Sequence, residues 1–307
     1  MKRILVIQAA AGPDYLADHL AHWLYLDDDL KLFTNRHPEY LFDDYPKSMP
    51  LSGGGFTVYR QIPHDRKQHI TLLDAETITN NIREKLFDYI IWTSGRRCQD
   101  FLHEAVKIGY DKSKLNVVDG EDDIYGYTSP YYTYFKRELV NDSALPISFK
   151  FPSCHPMLNK PYIQKSRLLA NIDPRWQNSY INGLEPTHVD YRYKEEEDYY
   201  RQYQESLFAF TTKKSGWDCM RHYEIIACNC LPVFPDFNSA PTNTMIEWDR
   251  NLQSRVNALW LHMSQVNSKI DIGECMNSWS ELMEEFHQIF STKMKTEHYK
   301  NTFRFDI

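Results

Sequence analysis

Residues 211–236, TTKKSGWDCMRHYEIIACNCLPVFPD, gather side chains suited to a charged, hydroxyl-rich ligand. Ser215 stands three residues before Asp218, the spacing of a capping box, so a helix is expected to start there and end near Asn229 and Pro232. The first amides of a helix lack partners within it. Together with the macrodipole they favour an anion, and the Ser215–Gly216 turn would present them to a diphosphate. Arg221 lies about one turn into this helix, with Glu224 at i+3 on the same face. A guanidinium grips phosphate oxygens and a carboxylate accepts two vicinal hydroxyl hydrogen bonds, so that edge matches a diphosphate followed by a ribose. Lys213 and Lys214 are weaker candidates for the same anion. The plain alternative is an i,i+3 surface ion pair worth about 0.2–0.5 kcal/mol.

A second concentration of chemistry is NVVDGEDD, residues 116–123, where Asp119, Glu121, Asp122 and Asp123 follow an apolar run. Such a loop is either solvated or offers oxygen ligands to Mg²⁺ or Mn²⁺. Asp14 follows the first apolar run and can cap the next helix. Cys228 and Cys230 form a CxC with no second pair of Cys or His near it, so no metal is expected there. SGGGF at 52–56 lacks the Lys-Ser/Thr of a phosphate loop and reads as a hinge or turn. His222 is as suited to packing as to acting.

The elements that must position these residues alternate. RILVIQ (3–8) reads as a buried strand and YLADHLAHWL as a helix; FTVYRQI (56–62) alternates like a strand, and 74–87 reads as an amphipathic helix. DYIIWTS, the helix CQDFLHEAVKIG and the strand of KLNVVDGEDD follow. Strands alternating with helices imply parallel βαβ units, whose ligands bind at the carboxyl ends of the strands. A proline-rich stretch at about 143–165 marks a boundary between domains 1–150 and 151–307. The second set comprises SRLLANI, the loop DPRWQN, THVDYR, the helix around KEEEDYYRQYQ, SLFAFTT, DCMRHYEIIAC, LPVFPD and a mostly helical tail over 245–300.

A chain of 307 residues favours two domains. Lys and Arg total 35 against 42 Asp and Glu, a formal charge of −7 with no basic stripe, which argues against nucleic acid as a partner. The six cysteines suit a reducing, cytoplasmic setting, and no window reaches the apolar length of a membrane span.

SGWDCMRHYEIIACNCLPVFPD resembles the nucleotide-sugar-binding element in the C-terminal domain of GT-B glycosyltransferases, most closely their exostosin-like branch. There a Ser/Gly loop, an Arg, a Glu and a small-residue-rich helix end precede a Pro-Val strand. NVVDGEDD and YFKREL (134–139) are similar to soluble proteins of this kind. The chain departs from the retaining GT-B pattern, having Trp217, with Asp218 beside it, where a further acid stands seven residues before the Glu.

The resemblance implies an α/β fold of two Rossmann-like domains facing a central cleft, and a soluble enzyme of bacterial or viral type. It implies a UDP-sugar donor, with Arg221 on the diphosphate and Glu224 on the ribose, and a saccharide or glycan acceptor. It further implies an inverting, metal-independent reaction with no cofactor. Inversion needs a base from the N-terminal domain. Asp119 and Glu121 rank ahead of Asp14, because repulsion among neighbouring carboxylates raises one toward neutrality. Two other readings are a metal-dependent transferase or phosphoesterase using the DGEDD loop, and a non-catalytic carbohydrate-binding protein using the Tyr-rich YGYTSPYYTYF (125–135).

Overall fold

Two compact units, each built on a parallel sheet, make up the chain in a computed structural model that describes residues 1–9, 14–49, 51, 55–161, 163–170, 193–265, 272–303 and 305. The first unit contains Met1–Cys154, Pro241–Ile246 and Thr296–Ile307; the second contains His155–Ala240 and Glu247–Lys295.

In the first unit β1 (Lys2–Ile7), α1 (Tyr15–Leu26), β2 (Leu30–Thr34), β3 (Ile70–Leu72), α2 (Ala75–Arg83) and β4 (Tyr89–Trp92) are followed by α3 (Leu102–Lys107), β5 (Leu115–Asp119), β6 (Thr133–Lys136) and β7 (Leu145–Pro146). The strands form one sheet in the order β3-β2-β1-β4-β5-β6-β7, every pair parallel. Parallel strands are joined by crossovers that cover both faces, so their sequences run apolar without alternation. Ile4–Ile7 and Tyr89–Trp92 are accordingly buried throughout. Leu5, Ile7, Ile90 and Trp92 share one face and pack against Ile78 and Ile82 of α2 and Leu102 of α3. Aspartates set the helix starts: Asp14 Oδ1 accepts from Ala17 N at 3.2 Å, and Asp74 Oδ1 from Thr77 N at 2.7 Å.

FTVYRQI is not a strand. It folds as turns with Thr57 and Arg60 at φ +66° and +59°, and its strand-like pairing among the described residues is the isolated bridge Phe42–Ile62, outside the sheet. The Arg60 guanidinium draws the chain round by donating to the carbonyls of Tyr45, Pro46 and Met49, each at 3.2 Å. Burial does not follow the alternation: Thr57, Val58 and Tyr59 are buried in succession, and Ile62 with them.

The second unit holds β8 (Arg167–Leu169), α4 (Glu196–Gln204), β9 (Ser206–Phe210), α5 (Met220–Ala227), β10 (Leu231–Val233), α6 (Arg250–Gln265) and α7 (Ile272–Lys293). Its parallel sheet has the order β10-β9-β8. Tyr200 and Tyr203 of α4, Ala209 of β9, Ile225 of α5 and both Cys228 and Cys230 share a core. Phe208 and Phe210 meet Trp260 of α6 edge-on, and Trp279 of α7 donates to the Leu207 carbonyl at 2.9 Å. The chain end leaves this unit: α8 (Tyr299–Phe303) and Phe305 belong to the first, where Trp23 stacks on Phe303 and Phe305. DPRWQN, THVDYR, most of the AAAGPD turn and the glycines of SGGGF up to Gly54 lie outside the described residues. Two α/β units with parallel sheets are the fold class that the GT-B resemblance implied. Among the described residues no helix is long and apolar enough to cross a membrane.

Candidate functional site

The loop 211–219 leaves β9 at its carboxyl end, the edge where parallel α/β sheets bind ligands. The helix it feeds begins later than the capping box suggests. α5 starts at Met220, and its N-cap, Cys219, makes no side-chain cap hydrogen bond. Asp218 turns inward and accepts from the buried Tyr223 hydroxyl at 2.8 Å, because a phenol enclosed by apolar groups needs an acceptor more than an exposed turn needs a cap. Ser215, Lys213 and Lys214 are exposed and Gly216 is buried, so the loop extends the site rather than forming the helix's first turn. The Lys213 ammonium lies 5.4 Å from the centre of the Trp217 ring.

His222 holds this loop. Its Nδ1 pairs with Thr211 Oγ1 at 2.6 Å and its Nε2 with the Trp217 carbonyl at 2.8 Å, tying both ends of the turn to α5. Burial lowers its pKa to about 3, so the ring works as a neutral brace. That is the packing role.

Arg221 and Glu224 lie on α5 as the sequence places them. Arg221 is partly exposed, whereas Glu224 is buried and accepts a hydrogen bond from the Tyr199 hydroxyl of α4. Burial first, then the Glu224 carboxylate, pushes the Tyr199 phenol well above its ordinary pKa, so Tyr199 remains a donor. Burial likewise raises the Tyr203 phenol, opposed by the positive charge of Arg221. Tyr199 orients the carboxylate. Sequence reasoning missed it because two separate helices bring the pair together.

In the first unit, connections leave β1 and β4 in opposite directions along the sheet, which opens a crevice at their carboxyl ends. Asp14 follows β1, Arg97 follows β4 and Glu121 follows β5. Arg97 Nε pairs with Glu121 Oε1 at 2.7 Å and stands 3.8 Å from Asp14 Oδ2. Gly120 permits this: a Cβ there would sit 2.9 Å from Leu16 Cβ and 3.1 Å from Asp14 Oδ1. Burial raises the Asp14 pKa, with Arg97 the largest opposing influence. One turn on, Asp18 is fully enclosed, accepts from the Tyr40 hydroxyl at 2.9 Å, and is pushed well above the carboxylate range by burial.

Asp119 has different surroundings from those expected of a base. It is 1% exposed and takes Arg96 Nε at 3.0 Å, Lys136 Nζ at 3.1 Å, the Tyr134 hydroxyl and the Glu121 amide. Such a carboxylate anchors the sheet edge. Its neighbours are matched too, Asp123 with Arg96 at 2.9 Å and Asp122 with Arg137. All four carboxylates of DGEDD therefore face protein cations, which leaves the loop poorly disposed to draw in a divalent ion.

No protein-family model matches the chain, and no curated protein matches it. Among solved structures, the crystal structure of MurG from Acinetobacter baumannii is similar at 8% identity and a TM-score of 0.42, covering 99% of each chain.

Proposed function

We propose that the protein is a glycosyltransferase that moves a sugar from a nucleoside diphosphate donor, UDP foremost, to a saccharide or glycan acceptor. The observation that carries the reading is the Arg221–Glu224 pair on α5, with Glu224 held by Tyr199 and the preceding loop braced by His222 at the carboxyl end of β9. It joins the resemblance of this segment to the exostosin-like GT-B element. Arg221, with Lys213, Lys214 and the Ser215–Gly216 turn, binds the diphosphate, and Glu224 accepts from the ribose hydroxyls.

Of the three candidate bases the geometry favours Asp14, since burial has raised its proton affinity and Asp119 is enclosed by its partners. The acceptor hydroxyl oxygen attacks the anomeric carbon while Asp14 takes its proton. The bond to the diphosphate breaks on the opposite side, inverting the centre. Glu121 acts through Arg97 to set the position of Asp14. Cations of the α5 loop neutralise the departing diphosphate, so no metal or other cofactor is required. All six cysteines carry free thiols, which suits a cytoplasmic enzyme.

The experiment is a thermal-shift series with UDP, GDP and CDP, followed by diphosphate release from the corresponding nucleotide sugars. A raised midpoint with one of them and turnover of its sugar are expected. Absence of any shift at millimolar nucleotide would overturn the proposal, and binding without turnover would leave a sugar-nucleotide binder instead of an enzyme.

A further inference from the structure

A cavity of about 240 Å³ lies at the opposite end of the small sheet from the 211–219 loop. Its walls include Lys165, Gln204 and Asn229, which stand just before β8, β9 and β10, so it borders the amino ends of all three strands. Lys160, His287, Ser291 and Lys295 complete its polar wall, and the remaining wall is mainly apolar, including Leu158, Ile226 and Phe290. Among the described residues that line it there is no Asp or Glu, in a chain whose formal charge is −7.

The cations are unequal. Lys160 pairs with Glu197 at 2.8 Å and is exposed. Lys165 is drawn inward: its ammonium donates to the Gln204 carbonyl at 2.8 Å and reaches the Tyr203 and Cys228 carbonyls at 3.4 Å. Those carbonyls end α4 and α5, whose negative dipole ends account for its attachment. Carbonyl dipoles solvate the ammonium without neutralising it, and the two contacts at 3.4 Å are the ones an anion would replace. Burial lowers its pKa, the mark of a cation short of counter-charge. Lys295 is half-buried on the same cavity and has no ion pair with a described residue.

We infer that this cavity is a second binding site, for a small amphipathic anion whose carboxylate or phosphate head meets Lys165 and Lys295 while its apolar body lies on Leu158, Ile226 and Phe290. The inference is independent of the proposed function, since it uses neither α5's first turn nor the first unit. The size suits a single short chain or ring and excludes a nucleotide sugar.

The test is a thermal-shift and calorimetric titration of the full chain with octanoate, phenyl phosphate and inorganic phosphate, against Lys295→Met and Lys165→Met. Octanoate or phenyl phosphate should raise the midpoint by several degrees in the wild type, and the shift should vanish in Lys295→Met. Response to only one of the two names the head group. Lys165→Met removes a helix-end partner and is expected to unfold more easily, so Lys295→Met carries the decision. An equal shift in wild type and Lys295→Met, displacement of the anion by UDP, or no response to either amphipathic anion would overturn the inference. A response to inorganic phosphate alone would also overturn it, because the apolar wall would then contribute nothing.

Discussion

Replacing Glu224 by alanine tests the donor assignment most directly. The carboxylate is buried, one of its oxygens accepts from Tyr199, and it follows Arg221 on the edge given to the ribose. Hydrogen bonds to a charged group contribute about 1.5–3 kcal/mol each. Losing two ribose hydroxyl contacts thus weakens binding by about 3–6 kcal/mol, a fall of roughly 10²–10⁴ in affinity at 1.4 kcal/mol per decade. The same change removes an acceptor of the buried Tyr199 hydroxyl, lowering stability by about 1–3 kcal/mol. The two effects separate in the double variant Tyr199→Phe/Glu224→Ala, which should regain stability without regaining affinity. Calorimetry with UDP and 2′,3′-dideoxy-UDP supplies the readout: the wild type should prefer the ribose form and Glu224→Ala should bind both equally weakly. Retained preference for the ribose in Glu224→Ala, or affinity restored by Tyr199→Phe, would refute the reasoning.

Asp14→Asn keeps a competent helix cap, so turnover should fall about 10²–10⁴-fold at unchanged donor affinity; full turnover would place the base elsewhere. Asp119→Ala leaves Arg96 and Lys136 without their shared carboxylate and should lower unfolding free energy by about 3–5 kcal/mol in urea, a loss under about 1 kcal/mol contradicting its anchoring role. Activity should persist in excess EDTA, and loss reversed by Mn²⁺ would return the DGEDD loop to metal binding. Asp18 supplies a pH test. Its native pKa is raised, so above the unfolded value near 4 the native state holds a proton the unfolded chain has released, and stability falls as pH rises. Asp18→Asn lacks that titration; urea unfolding should show its advantage over wild type growing from pH 5 to pH 8, and a shrinking advantage would contradict a protonated native carboxyl.

Much of this architecture can be read without coordinates, where local chemistry suffices. β1, β4 and β5 are short apolar runs that only a sheet covered on both faces requires, and Asp14 and Asp74 mark helix starts through their own side chains. The Arg221–Glu224 spacing likewise comes from helix geometry alone. The sequence could not reveal what depended on partners brought from far along the chain. β6 ends in Lys136, which looks unsuited to an interior strand until Asp119 lies beside it. FTVYRQI has a strand's alternation, yet Arg60 and its three carbonyls bend it into turns. Asp218 has a cap's spacing, yet Tyr223 draws it inward. Asp119 stands in an acidic loop that suggested a base or a metal ligand, and Arg96, Tyr134 and Lys136 make it an anchor. Periodicity and capping are properties of neighbouring residues, whereas the state of a buried charge depends on the counter-charge that folding sets against it.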